Sequence, residues 1–128
     1  MIMAPRKGFH TVTPYLVTND VDGLVAFVDH GLGAVQTSRA EMGPGRFHVE
    51  MQIGDSMVMI GGGPGSNPVT AMLLLYVDDV DALYHRALGA GAQSVQNPSD
   101  MRDGERRAGV EDAFGNSWYF AGPKTTKT

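Results

Sequence analysis

The chain carries the same pattern twice, about 60 residues apart. Three short segments recur with offsets of 59, 58 and 61 residues: Asn19–Leu24 as Asp78–Leu83, Gly31–Ala34 as Gly89–Ala92, and Gly54–Ser56 as Gly115–Ser117. A repeat of this kind requires each copy to be one structural unit. The period is too long for a solenoid repeat and too short for two independent domains. We therefore expect one domain of 128 residues built from two half-domains of the same architecture.

Composition excludes several classes of protein. The chain has no cysteine, which excludes disulfides, thiolate metal sites and cysteine nucleophiles. The net charge is -4 and no basic stripe is present, so no nucleic-acid surface is predicted. The longest apolar run, residues 71–77, is too short to span a bilayer as a helix, and residues 1–10 lack the apolar stretch of a secretory signal. We expect a soluble cytoplasmic protein with no nucleic-acid or membrane partner.

Each copy is predicted to form one helix and four strands. Asp20 and Asp79 are suited to cap helices whose apolar residues recur at helical spacing, and glycines 31 and 33, and 89 and 91, end them. Residues 47–53 alternate strictly between apolar and polar side chains, which is typical of a strand with one buried face. The predicted strands are residues 11–17, 34–41, 47–53 and 57–60, then 71–77, 93–96, 106–110 and 117–121.

These elements predict an α+β fold of two βαβββ modules, residues 11–60 and 70–121. The intervening segment, 61–69, is rich in glycine and proline and is interpreted as a linker. One helix covers one face of four strands, so two modules side by side would form a curved eight-stranded mixed sheet with the helices on the convex face. The hollow on the other side is where we expect a ligand.

The ordered motifs resemble the vicinal oxygen chelate superfamily, which includes glyoxalase I, bleomycin-resistance proteins and extradiol dioxygenases. The resemblance rests on the helix entry at Val77–Asp81 and on Asp112–Trp118 near the end of the chain. Val12–Leu16, Gly54–Ser56 and the spacing from Gly104 to Gly115 are most similar to the 3-demethylubiquinone-methyltransferase-like glyoxalase relatives. The resemblance covers about residues 11–121 and specifies the fold more than the function.

The resemblance implies four metal-ligand positions, on the first and fourth strand of each module. Metal-dependent relatives have His, Gln or Glu there, whereas this chain has Thr13, Met59, Met72 and Tyr119. A one-residue slip would replace Met59 by Val58. Thioethers prefer soft ions and neutral hydroxyls bind divalent cations weakly. We therefore expect no metal at this place and no cofactor.

A displaced metal site is the alternative. His48 and Glu50 are two residues apart on a predicted strand, so they share a face. Two side chains do not make a metal site without a third or fourth ligand. A polar wall of the hollow, or a solvated face, explains the same pair.

A ligand site is predicted from the side chains that share the concave face. Arg107 could bind an anionic group there through its planar guanidinium, or form a salt bridge at the rim. Methionine is flexible and polarizable, which suits a surface that accepts several ligand shapes. The predicted ligand-binding residues are Thr13, Tyr15, His48, Glu50, Met57, Met59, Met72, Leu74, Tyr76, Arg107 and Tyr119.

Two functions follow. The first is a metal-free protein that sequesters an apolar or aromatic small molecule, as the resemblance to bleomycin-resistance proteins implies. The second is a glyoxalase-type lyase or dioxygenase with its metal near His48 and Glu50, so the sequence leaves open whether the protein is an enzyme. The family resemblance also implies a homodimer, in which a partner covers the open edges of the sheets.

Overall fold

A computed structural model describes residues 4–124 of the chain. It divides into two compact units, Met1–Thr70 and Ala71–Thr128. The first unit contains β1 (Tyr15–Thr18), α1 (Val21–Leu32), β2 (Val35–Gly43), β3 (Arg46–Ile53) and β4 (Ser56–Gly62). The second contains β5 (Met72–Tyr76), α2 (Val80–Gly89), β6 (Gln93–Asp100), β7 (Glu105–Glu111) and β8 (Ser117–Pro123).

Both units have the same sheet topology. The strand order is β1-β4-β3-β2 in the first and β5-β8-β7-β6 in the second. In each sheet the first strand pairs in parallel with the fourth, and the other pairs are antiparallel. The predicted α+β class with two βαβββ modules is therefore confirmed, and the eight strands are divided between two mixed sheets of four.

Both helices begin at an aspartate, as predicted. The Asp20 carboxylate accepts a hydrogen bond from the Gly23 amide at 3.0 Å, and Asp79 accepts one from Ala82 at 3.0 Å. Each bond satisfies an amide that has no partner inside the helix. The first helix ends at Gly33, whose φ of 75° lies in the left-handed region that glycine adopts without a steric penalty because it has no Cβ.

One face of each sheet packs against the helix of its own unit. In the first unit Val49 and Met51 of β3 are fully buried, as are Leu16 of β1 and Ile60 of β4. The predicted alternation along residues 47–53 is confirmed for these central positions, because His48 and Glu50 point to the opposite face. We call this opposite side the helix-free face.

The second unit has a larger aromatic core. Trp118 and Phe120 of β8 are fully buried beside Val110 and Ala108, with which they pair on β7. Tyr84 of α2 is also buried, and its hydroxyl donates to Ser94 at 2.7 Å. Burying aromatic side chains of this size removes about 150–250 Å² of surface each from water and dominates the stability of such a core.

The turn between β7 and β8 is organised by a buried carboxylate. Asp112 accepts hydrogen bonds from the amides of Phe114 and Asn116 at 2.8 and 3.0 Å. It also accepts from Asn116 Nδ2 at 3.1 Å and from Trp118 Nε1 at 2.8 Å. The motif Asp112–Trp118, noted in the sequence for its family resemblance, is thus a turn whose buried carboxylate accepts hydrogen bonds from its own residues, including the indole N–H of the core tryptophan.

Several strand boundaries differ from the predicted ones. The first strand begins at Tyr15 rather than at residue 11, directly after Pro14, which has no amide hydrogen to donate. β6 continues past Pro98 to Asp100, because an edge strand tolerates proline. Gly61 and Gly62, assigned above to the linker, belong to β4. A side chain at Gly62 would place its Cβ 2.2 Å from the Thr18 carbonyl oxygen, which explains the glycine.

Neither helix described in residues 4–124 is long and apolar enough to cross a membrane.

Candidate functional site

A chain of four polar side chains lies on the helix-free face of the first unit. Tyr15 of β1 pairs with Met59 of β4, which in turn pairs with Glu50 of β3, so their side chains lie on one face. His48 is two residues before Glu50 on the same strand and shares that face. Arg6, which precedes β1, reaches Glu50 from outside the sheet.

The four side chains are joined by continuous hydrogen bonds. The Tyr15 hydroxyl lies 3.0 Å from His48 Nδ1. His48 Nε2 lies 3.1 Å from Glu50 Oε2, and Arg6 Nη2 donates to the same carboxylate oxygen. Tyr15 is 47% exposed, whereas the Glu50 side chain is only 7% exposed. We call this hydrogen-bonded chain of Arg6, Glu50, His48 and Tyr15 the relay. At one end is the exposed phenol of Tyr15, which a ligand can reach, whereas the Glu50 carboxylate is buried.

Opposing effects set the pKa of Glu50. Burial of the carboxyl group would raise its pKa, because the charged form loses hydration. Hydrogen bonds from Arg6 and His48, together with the charge of the Arg6 guanidinium, outweigh this effect, so the pKa lies below the ordinary value of 4.5. Glu50 is therefore an ionised, buried carboxylate near neutral pH, and its charge is balanced by the Arg6 guanidinium.

Gly61 sets the position of the tyrosine. A Cβ at this residue would lie 2.5 Å from the Tyr15 hydroxyl and 3.0 Å from a ring carbon. The phenol thus lies directly over the Gly61 backbone, with its ring centroid 5.4 Å from that of His48. Any larger residue at 61 must displace the hydroxyl.

The helix-free face of the second unit is mainly apolar. Met72 and Tyr76 of the edge strand β5 are 70% and 75% exposed, and Leu74 between them is 44% exposed. Tyr119 of β8 packs over Gly109 of β7, where a Cβ would lie 2.6 Å from the ring. This unit therefore presents three accessible apolar side chains beside a tyrosine ring.

Arg107 lies on the same face of the second unit, at the position of β7 that pairs with Ala121. Its Nη2 donates to Glu105 at 3.0 Å and to Asp103 at 3.5 Å, and these carboxylates raise its pKa. Of the two roles considered for Arg107 in the sequence, the structure shows the salt bridge. Its Nε is buried and makes no hydrogen bond within residues 4–124.

The four positions implied by family resemblance lack strong metal ligands. The Thr13 hydroxyl donates to the His10 carbonyl at 3.2 Å, just before β1. Met59 and Tyr119 occupy equivalent positions, opposite Tyr15 and Leu74. Met72 is largely exposed. The side chain of Val58, the alternative to Met59, is buried on the helix side of the sheet, which favours Met59 as the residue on the helix-free face.

His48 and Glu50 do lie together, but Arg6 already supplies a cation at the carboxylate. Among residues 4–124 no group of three or more His, Asp or Glu side chains is placed to hold a metal ion. A divalent ion bound here would have to displace the guanidinium and use His48 and Glu50 with no third ligand of these types.

The structure groups the predicted site residues by unit. Tyr15, His48, Glu50, Met57 and Met59 share one face in the first unit, and Met72, Leu74, Tyr76, Arg107 and Tyr119 share one face in the second. Thr13 lies before the first strand. Sequence reasoning missed Arg6, 44 residues before its partner, and Gly61, which it placed in the linker.

Comparison with known proteins identifies the fold. Residues 8–120 match the sequence profile of the Glyoxalase/Bleomycin resistance protein/Dioxygenase superfamily. An uncharacterized protein of Mycobacterium tuberculosis (strain ATCC 25618 / H37Rv) is 32% identical over 127 residues, covering 88% of this chain and 74% of that protein.

Two solved structures are similar over most of the chain. TioX from Micromonospora sp. ML1 is 24% identical with a TM-score of 0.74, covering 88% of this chain and 98% of TioX. A glyoxalase I variant from Zea mays is 14% identical with a TM-score of 0.72, covering 87% of this chain and 46% of the maize protein. These likenesses concern the fold alone.

Proposed function

The chain belongs to the Glyoxalase/Bleomycin resistance protein/Dioxygenase superfamily, and from this membership and its site geometry we propose that it is a metal-free small-molecule-binding protein. Its ligand is an apolar or aromatic compound that binds to side chains on a helix-free face. Sequestration without turnover, as in the bleomycin-resistance proteins that the sequence resembles, would protect a cell from a drug or natural product.

The observation that carries this proposal is the side-chain chemistry of the two helix-free faces. The second unit exposes Met72, Leu74 and Tyr76 on one strand, and the first exposes the phenol of Tyr15. Apolar and aromatic surface with a few placed polar groups is typical of small-molecule sites. The family's metal positions hold a threonine, two methionines and a tyrosine, none of which is a strong ligand for a hard divalent cation.

The alternative is a glyoxalase-type lyase or dioxygenase with a metal held by His48 and Glu50. Their contact at 3.1 Å on one face of β3 is the observation that favours it. The ion pair between Arg6 and Glu50 favours the metal-free protein instead, because a cation already balances the carboxylate.

Two further assignments belong to the same proposal. Within the superfamily, we place the chain nearest to the 3-demethylubiquinone-methyltransferase-like relatives, on the motifs described above. We also propose a homodimer, because the exposed large apolar side chains of the sheets lie on edge strands, where a partner strand or unit can cover them. Sedimentation as a monomer at micromolar concentration would overturn the dimer.

Thermal shift with a panel of apolar aromatic compounds tests the binding function. We expect at least one compound to raise the melting temperature of the wild-type protein, because a ligand that binds only the folded state stabilises it. Met72→Glu should remove this shift with little loss of intrinsic stability, since the side chain is 70% exposed. The matched control is Met42→Glu, the same substitution near the β2–β3 turn of the first unit, where the side chain is 69% exposed; this variant should keep the ligand shift.

Two outcomes would contradict the proposal. No compound in the panel stabilises the protein, in which case the apolar side chains serve only packing or assembly. Alternatively, Met72→Glu and Tyr119→Glu lower stability and ligand binding to the same degree, which would make these residues part of the core.

A further inference from the structure

The relay on the first unit fixes which hydrogen-bonding partner the site can accept. We propose that Tyr15 is its specificity-determining residue and accepts a hydrogen bond from the ligand, so that the ligand carries a donor such as a phenol O–H. This inference rests on the proposed binding function and deepens it. It follows from the order of partners Arg6, Glu50, His48 and Tyr15 along the relay.

The first step concerns Glu50. An ionised carboxylate can only accept hydrogen bonds. The buried Glu50 oxygen accepts from Arg6 and lies 3.1 Å from His48 Nε2. His48 Nε2 must therefore carry a proton and donate it to Glu50.

The second step concerns the other ring nitrogen. A neutral imidazole carries one proton, so protonation of Nε2 leaves His48 Nδ1 as an acceptor. The hydroxyl of Tyr15, 3.0 Å away, must then donate to Nδ1. The opposite tautomer would place an unprotonated nitrogen against a carboxylate.

The third step concerns the exposed side of the phenol. A tyrosine hydroxyl has one proton, and here it is committed to His48. The oxygen lone pairs remain for a ligand, and Tyr15 is exposed enough for a ligand to reach them. A ligand group that can only accept would find no proton at this position, which costs it a hydrogen bond. A phenol, alcohol or N–H donor finds a matched partner.

This order of donors and acceptors requires a neutral imidazole. Within residues 4–124, the side chains that hydrogen-bond to His48 are those of Tyr15 and Glu50, and Arg6 pairs with Glu50. If His48 gained a second proton, Nδ1 would become a donor and the Tyr15 hydroxyl could turn outward. The predicted ligand preference therefore applies at pH about 8, where histidine side chains are ordinarily neutral.

The tautomer can be measured without any ligand. In a long-range ¹H–¹⁵N correlation spectrum at pH about 8, we expect His48 to show a protonated Nε2 and an unprotonated Nδ1. The chain contains four histidines, so His48→Gln identifies the relevant signals by their disappearance. A protonated Nδ1 in the neutral ring would overturn the inference.

Binding of two matched probes tests the consequence. Phenol and anisole share the ring and the oxygen, but anisole has no proton to donate. With wild-type protein at pH about 8, ligand-observed NMR should give phenol a roughly three- to tenfold lower Kd than anisole. Tyr15→Phe should abolish this difference by weakening phenol, with anisole unchanged.

Gly61→Ala provides a variant that keeps every polar group. Its Cβ would lie 2.5 Å from the Tyr15 hydroxyl and displace it from His48, so the phenol preference should be lost. Gly89→Ala is the matched control, because a Cβ there meets nothing within 4 Å, and it should keep the wild-type preference.

The outcomes separate the inference from the proposed function. If phenol and anisole bind the wild-type protein equally, the inference is wrong and the binding function stands. If neither probe binds and the aromatic panel also fails, the binding function is wrong and the inference fails with it. A phenol preference that survives in Tyr15→Phe would place the donor's partner elsewhere and overturn the assignment of Tyr15.

Discussion

The two units share a fold but differ in what they place at equivalent positions. Tyr15 corresponds to Leu74 and Glu50 to Gly109, because Met59 lies between Tyr15 and Glu50 in its sheet and Tyr119 lies between the other two. His48 and Arg107, each two residues earlier on the third strand, correspond in the same way. The first unit thus carries a hydrogen-bonded relay where the second carries an aliphatic side chain, an ion-paired arginine and a glycine.

The difference shows how one duplicated framework supports two kinds of surface. Both copies keep the capping aspartate and the glycine that lets the end of the fourth strand approach a carbonyl, Gly62 beside Thr18 and Gly122 beside Val77. These positions serve the framework itself, by capping a helix or by allowing close backbone approach. The helix-free faces are not needed for the helix-side core, so their side chains could diverge into a polar site and an apolar one.

The hairpins that join the last two strands give the largest expected contrast. Asp112→Ala should lower the free energy of unfolding by about 3 kcal/mol, because it leaves several buried donors without an acceptor. Asp55→Ala, in the exposed hairpin of the first unit, should change it by less than about 0.5 kcal/mol. Urea denaturation of both variants gives the comparison. Equal losses would show that the two hairpins have the same structural role.

The relay gives a smaller and pH-dependent effect. Glu50→Gln should lower the free energy of unfolding by about 1 kcal/mol at pH 7, because the buried carboxylate loses charged hydrogen bonds with Arg6 and His48. The pKa of Glu50 is lowered in the folded protein, so its stabilisation is complete above the ordinary value of 4.5 and is lost as the pH falls through the lower, folded value.

The measurement is the urea midpoint of wild type and Glu50→Gln as a function of pH. The gap between the two proteins should be constant from pH 7 to about 5.5 and should narrow on further acidification. A gap that widens toward acid would mean that the folded pKa of Glu50 is raised, and the relay as described would be wrong.

Arg107 gives the smallest expected effect. Arg107→Gln removes ion pairs with Asp103 and Glu105 that are partly exposed to solvent, and such pairs contribute little to stability. We expect an unchanged urea midpoint, in contrast to Glu50→Gln. If anionic aromatic compounds such as benzoate lose affinity for this variant, Arg107 binds them. A large fall in the urea midpoint would instead show that Arg107 stabilises the fold of the second unit.

The repeat and the strand pattern allowed the fold class, the helix caps and the buried face of β3 to be predicted from the sequence. Asp20 and Asp79 act locally, and the alternation around Val49 and Met51 is a property of neighbouring residues. Such short-range signals can be read without knowing the tertiary structure.

Apart from the contact between His48 and Glu50, the contacts that make the candidate site are long-range, and the sequence did not contain a local signal for them. Arg6 lies 44 residues from Glu50, so no spacing rule could connect them. Gly61 was interpreted as linker because it begins a run of glycines, whereas its role is to admit the Tyr15 ring. The strand predicted over residues 93–96 in fact extends past Pro98 to Asp100, and its position at a sheet edge, where proline is tolerated, became evident only from the sheet order.

Metal content is the most direct test of the account, because the proposed function depends on a site without a metal. The wild-type protein, purified without chelator, and its Glu50→Gln variant should be compared by elemental analysis after incubation with Zn²⁺, Ni²⁺, Mn²⁺ or Fe²⁺ and desalting. The account predicts substoichiometric metal in both proteins, with aromatic-ligand binding unchanged by EDTA. One equivalent of metal in the wild type that is lost in Glu50→Gln would contradict it.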